Sequence, residues 1–154
     1  MLMVDEMQGA FRIYYIEGDK CRREGAWWAA LHLALVIPDV CSSLEDPNSL
    51  VGDRYVNWCR DHYPSDPRLT PADRYQMRNA VLHQGASLAQ NKGKTHHSQY
   101  KSFSFVRPED EPPDRDTHFA QDLANSNITL YMQRIVGSTF DHALSSWLKP
   151  LPHG

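Results

Sequence analysis

The sequence predicts an all-α fold, an antiparallel bundle of four to five helices with a small β-hairpin before the last helix. Three observations carry this. Met132, Ile135, Val136, Thr139, Phe140, Ala143, Leu144, Trp147 and Leu148 recur at helical spacing through four turns. Thr70, Pro71 and Asp73 form a strong helix start, with Thr70 as N-cap, a proline at the first helical position and a capping-box-like T-x-x-D. "YKSFSFV" alternates aromatic and polar residues, and "NITLYM" is β-branched, so two short strands fall between the helices. The length, 154 residues, suits one domain over 1–154.

In chain order, Met3, Met7, Ala10, Phe11 and Tyr14 sit at helical spacing, which predicts a helix over 3–17 rather than a strand at "FRIYYI", with Gly18 as its stop. Residues 23–45 are apolar nearly all round, the pattern of a central buried helix. Pro38 lacks a backbone donor and crowds the preceding turn, so a kink or restart is expected there. A short helix follows over 54–63, and "PSDP" ends it. The Thr70 start opens a helix over about 71–84, with Gly85 as C-terminal stop. "SLAQNKGKTHHSQ" reads as a polar loop and "RPEDEPPDRDTH" as irregular. The strands at about 101–106 and 127–131 are expected to pair as a hairpin across that long acidic connection. Pro150 closes the last helix.

Hydrophobic residues make up 41% of the chain and charged residues 23%, an ordinary globular balance. The three cysteines, Cys21, Cys41 and Cys59, lack C-x-x-C spacing and read as reduced thiols of a cytoplasmic protein. The first ten residues carry Asp5 and Glu6 and no basic residue, unlike a signal peptide. The run "AWWAALHLALVIP" reads as too short to span a bilayer, so no membrane association is expected. A net charge of −3 argues against nonspecific coating of nucleic acid. Charge is unevenly spread, however. Residues 61–107 hold seven basic and three acidic residues, and no acidic residue occurs between Arg74 and Pro108.

The stretch "RNAVLH" opens that basic region and sets Arg78, Asn79 and His83 among apolar positions of its helix. Arginine offers a planar fork for phosphate, and histidine exchanges protons near neutral pH. Asparagine can fix an imidazole's orientation. His83 lies in the last turn, where the helix dipole favours a protonated ring. Asn79 and His83 are i,i+4 neighbours, but Arg78 and His83 diverge by about 140° on an ideal helix. They are therefore expected to meet through helix distortion near Gly85 or through a second copy of the chain. The alternative is structural, with Arg78 paired to Glu45 or Asp39 and His83 capping carbonyls.

"RNAVLH" resembles the R-x(4–6)-H motif of HEPN domains, with a polar residue after the arginine as in their ribonuclease members. "GAWWAALHLALVIPDVCSSLE", "RYVNWCRDHY" and "RYQMRNAVLHQG" are, in that order, similar to segments of small bacterial proteins with this helical layout; the likeness spans roughly residues 22–148. The resemblance implies a four-helix core and a homodimer with two motifs facing across a cleft. It implies a metal-independent RNA endonuclease of toxin or defence type, often with an antitoxin-like protein partner. Carried over, Arg78 holds the scissile phosphate, His83 acts as base or acid, and Asn79 supports them. The alternative is a noncatalytic helical interaction module, since a fold does not establish a function.

Arg74, Lys92, Lys94 and Lys101, interleaved with Tyr100, Phe103 and Phe105, are candidates to guide single-stranded RNA by charge and stacking. The other reading is a strand with one buried aromatic face. His96 and His97 lack metal-ligand spacing, so no metal and no cofactor are expected. His32 reads as a core histidine and "EDEPPDRD" as a solvated loop.

Overall fold

A computed structural model describes residues 2–84, 95–114 and 117–148. It is mostly helical. Helices α1 (Leu2–Arg23), α2 (Trp27–Glu45), α3 (Val51–His62) and α4 (Pro71–Gln84) precede a small sheet, and α5 (Met132–Leu148) follows it. Strands β1 (Ser102–Val106), β2 (Phe119–Asp122) and β3 (Asn127–Tyr131) form the sheet, with one 3-10 turn at Pro108–Asp110.

Helix α1 runs straight through Gly18 and ends at Gly25 instead. Gly25 takes the left-handed conformation, φ +74°. Around it the Gly25 N–H donates to the Arg22 carbonyl and the Ala26 N–H to the Cys21 carbonyl, at 3.2 and 2.8 Å. This is the double bond of a Schellman stop. Gly18 has a different task. A Cβ there would lie 2.2 Å from Cζ of Phe140, so the missing side chain lets α5 approach α1. Phe140 is fully buried, and Tyr15 meets its ring edge-on at 5.8 Å. Gly18→Ala is therefore expected to destabilise the protein by about 1–2 kcal/mol, overpacking outweighing the better helix propensity of alanine. Urea unfolding checks this; a midpoint equal to or above wild type would show that the ring moves aside freely.

Helix α2 is central and packs against α1, α3, α4 and α5. Ala30, Leu31, Ala34, Leu35, Ile37 and Cys41 are buried along it. It continues through Pro38 without restarting. Proline removes only one donor, that to the Ala34 carbonyl, and the tight packing on both sides holds the helix together. The helix is 19 residues long with mean hydropathy 1.4, long and apolar enough by those measures to cross a membrane, which corrects the expectation that the run is too short. In the fold 44% of that stretch is buried, while Trp28 stays 46% exposed. Of the thiols, Cys41 and Cys59 are buried and Cys21 is half-buried. Burial pushes the Cys59 thiol up to about 12.

The start of α4 is built as its sequence predicts. The Thr70 N–H donates to Asp73 Oδ2 at 2.8 Å and the Asp73 N–H to Thr70 Oγ1 at 3.2 Å. Asp73 is fully buried and does more than cap. Its Oδ1 accepts from Ser98 Oγ at 2.7 Å and the Gln99 N–H at 3.0 Å, and its Oδ2 from Gln99 Nε2 at 2.7 Å. Gln76 Nε2 donates to the His96 carbonyl at 3.1 Å. Residues 96–99 are thus tied to the first turns of α4.

The expected hairpin of 101–106 with 127–131 is corrected. β1 and β3 do pair, but in parallel, Ser102 opposite Asn127 and Val106 opposite Tyr131. The antiparallel partner of β3 is β2, Phe119 opposite Leu130, giving the order β1-β3-β2. A parallel pair needs a crossover of about a dozen residues, which the acidic segment supplies. That segment is anchored rather than merely solvated. Glu111 Oε1 accepts from the Gln133 N–H at 3.0 Å, capping α5, and its other oxygen lies 3.8 Å from Arg134 Nε. Phe103, Ile128 and Leu130 bury the inner face. β3 passes into α5 with no linking residue, Tyr131 ending one and Met132 starting the other. From there Ile135, Val136, Phe140 and Ala143 are buried, as their spacing predicts.

Candidate functional site

Helix α4 lies against α3 with Met77, Ala80 and Val81 buried. Tyr75 and Leu82 of the same helix are partly buried against the core, and Tyr75 packs on Tyr55 at 5.5 Å.

On the same helix Arg78, Asn79 and His83 converge within one chain. Arg78 Nη1 donates to Asn79 Oδ1 at 2.7 Å and to His83 Nε2 at 2.9 Å. The expected divergence of the two backbone positions is bridged by the reach of the guanidinium, and neither helix distortion nor a second copy is required. Arg78 Nε donates to Asp39 Oδ2 of α2 at 2.8 Å. Its guanidinium carbon stands 5.9 Å from the centroid of Tyr55, whose hydroxyl is fixed to the Leu35 carbonyl at 3.1 Å. Of the two carboxylates weighed from sequence, Asp39 is the partner; Glu45 lies 3.6 Å from His62 instead.

A guanidinium only donates, so His83 Nε2 accepts in this contact and the ring proton sits on Nδ1. The partner of Nε2 is thus a cation, and the ring presents a lone pair there as a base would. His83 is exposed, whereas the Arg78 side chain is only 13% exposed. The cluster joins a solvent-facing acceptor to a held, part-buried positive charge.

Of the candidate RNA-guiding residues, Arg74 and Lys101 do not join it. Lys92 and Lys94 lie outside the described residues. Lys101 is exposed just before β1. Arg74, one turn before Arg78, turns to the Tyr63 ring, 4.2 Å from its centroid. Of the aromatics, Tyr100 and Phe103 are buried, so the strand presents one core face. His96 is no loose loop residue. It has φ +63°, its Nε2 is 2.6 Å from Asp53 Oδ1, and its ring meets Tyr75 edge-on at 6.1 Å. His97 is exposed. Among the described residues no three His, Cys, Asp or Glu side chains are placed to hold a metal ion.

Sequence reasoning missed a second gathering of polar groups. Arg74, His118 and His142 share one cavity although they come from α4, the segment before β2, and α5. No spacing links positions so far apart in the chain. Comparison of the chain with family models, with curated proteins and with solved structures finds no match.

Proposed function

We propose that the chain acts as a HEPN-like homodimer that binds RNA at Arg78, Asn79 and His83 and cleaves it without a metal ion, in the manner of a toxin or defence ribonuclease. The observation that supports this reading most is the 2.9 Å contact between the Arg78 guanidinium and the accepting Nε2 of an exposed His83. Without RNA, the two groups satisfy each other. An RNA strand replaces both halves of that contact. A phosphate oxygen takes the Arg78 N–H, and the ribose 2′-hydroxyl donates to His83 Nε2. His83 removes the hydroxyl proton as the 2′-oxygen bonds to phosphorus, and the bond from phosphorus to the 5′-oxygen breaks. The leaving 5′-oxygen takes a proton from the second copy's His83, which enters the step as the imidazolium while the first enters it neutral. Arg78 stabilises the charge on the phosphate, and Asp39 and Asn79 hold the guanidinium in place. The products end in a 2′,3′-cyclic phosphate and a 5′-hydroxyl.

A second reading, a noncatalytic helical module for a protein partner, draws on the Asp39 pairing. That bond neutralises Arg78 and fits a purely structural role. One experiment separates the two. Wild-type protein is incubated with structured and single-stranded RNAs in EDTA, and its mass is measured by light scattering. Cleavage with cyclic-phosphate ends, by a dimer, is expected. No cut at high protein excess, or a mass near 17.7 kDa at micromolar concentration, would turn the conclusion toward the module.

A further inference from the structure

The cavity that Arg74, His118 and His142 share has a volume of about 180 Å³, more than ten times the roughly 10–15 Å³ that one water needs. Leu69, Phe119 and Ile135 supply apolar wall. Its charge is only partly balanced from within, since Asp66 on its lining feels the Arg74 charge without bonding to it. The one carboxylate on its lining, Asp66, is already engaged by Arg68, which donates to Oδ1 at 3.1 Å and to Oδ2 at 2.9 Å. Ser138 directs its proton to the Ile135 carbonyl at 3.2 Å. Arg74 makes no side-chain hydrogen bond or ion pair among the described residues, and its nitrogens are not sealed from solvent. What holds it is the Tyr63 ring, a contact through the guanidinium face that leaves its N–H edge unused. Tyr63 also meets His142 edge-on at 5.6 Å, with Trp58 packed on the same ring at 5.5 Å. One aromatic ring therefore positions both an unpaired cation and an imidazole at the same hollow.

We propose that this cavity binds a phosphate group of monoester type, with the Arg74 fork and the His118 and His142 imidazoles as its donors. A monoester carries about −1.5 to −2 charges near pH 7, which suits one guanidinium flanked by two imidazole N–H donors better than a singly charged diester does. Apolar walls strengthen each of these contacts by lowering the local dielectric. The surroundings of His142 disfavour its charged form. Burial, then the positive Arg74, holds the ring below its usual 6.5; His118 acts the same way and Asp141 opposes it. A bound anion reverses that balance and draws a proton onto the ring, so anion binding and His142 protonation favour each other. The site stands apart from the RNA-cleavage reading, because inorganic phosphate alone reports on it.

The test follows the imidazole proton resonances of His118 and His142, assigned with His118→Gln and His142→Gln, as phosphate replaces chloride at constant ionic strength. Both signals are expected to move and saturate, with the His142 titration midpoint shifted upward. Arg74→Gln is expected to weaken binding about tenfold or more, as loss of a charge-assisted bond does. His118→Gln, outside any helix, should weaken it as well, which guards against a misfolded Arg74 variant. Absence of shifts at tens of millimolar phosphate, or a folded Arg74→Gln that titrates like wild type, overturns the proposal. With the site established, ribose 5-phosphate and a 5′-phosphorylated oligoribonucleotide distinguish a small ester from an RNA end by which binds tighter.

Discussion

His83→Ala is expected to slow RNA cleavage by about 10²–10⁴-fold, the usual loss when general acid–base help is removed, while RNA affinity and dimer mass stay as in wild type. His83 is exposed and packs no core, so its removal should not disturb the fold. Arg78→Ala should behave differently, weakening both affinity and turnover, because it deletes a phosphate contact and leaves Asp39 without its 2.8 Å partner. Asp39→Asn keeps a hydrogen-bond acceptor but removes the charge, so it should reduce turnover less than Arg78→Ala does. The assay is cleavage under enzyme excess in EDTA, with affinity measured separately. Equal cleavage by His83→Ala would end the catalytic reading.

How far this site could be read from the chain depends on the residue. The clustering of Arg78, Asn79 and His83 was legible as a motif, but backbone geometry suggested that Arg78 and His83 point apart. Helical angles describe where Cβ atoms lie, and a guanidinium on its long stem reaches well beyond that. Arg74, His118 and His142 left no trace, because only the sheet and α5 bring them together. In the fold, α4 and α5 were legible from capping and apolar spacing. Gly18 and Gly25 were not distinguishable in the same way. One admits the Phe140 ring and the other turns the chain, and both roles look like a glycine between helical patterns. Likewise the alternation in β1 and β3 set which face is buried, not which strand pairs with which or in what direction. β2, with only Phe119 half-covered and the rest exposed, gave no pattern to find.

Asp73→Ala is expected to cost about 3 kcal/mol or more, a large part of the ~5–15 kcal/mol that holds a typical domain. The buried carboxylate accepts from the Thr70 and Gln99 N–H groups, Ser98 Oγ and Gln99 Nε2. Truncation leaves these donors facing an apolar gap. Thr70→Ala, which removes only the cap, should cost about 0.5–2 kcal/mol. Urea denaturation of both variants decides the matter. If Asp73→Ala costs no more than Thr70→Ala, the tie between α4 and residues 98–99 contributes nothing to stability.

The seamless passage from β3 into α5 leaves the chain no slack there. One residue added between Tyr131 and Met132 would have to be absorbed by a strand or by a helix, and neither tolerates it. Slipping β3 by one position turns Ile128 and Leu130 from the core to the outside. Leaving β3 in place instead turns α5 by about 100°, which swings Phe140 off Gly18 and carries His142 out of its cavity. Sheet register and helix rotation are therefore a single quantity in this protein, and an added or deleted residue is absorbed only in the connections on either side of that junction.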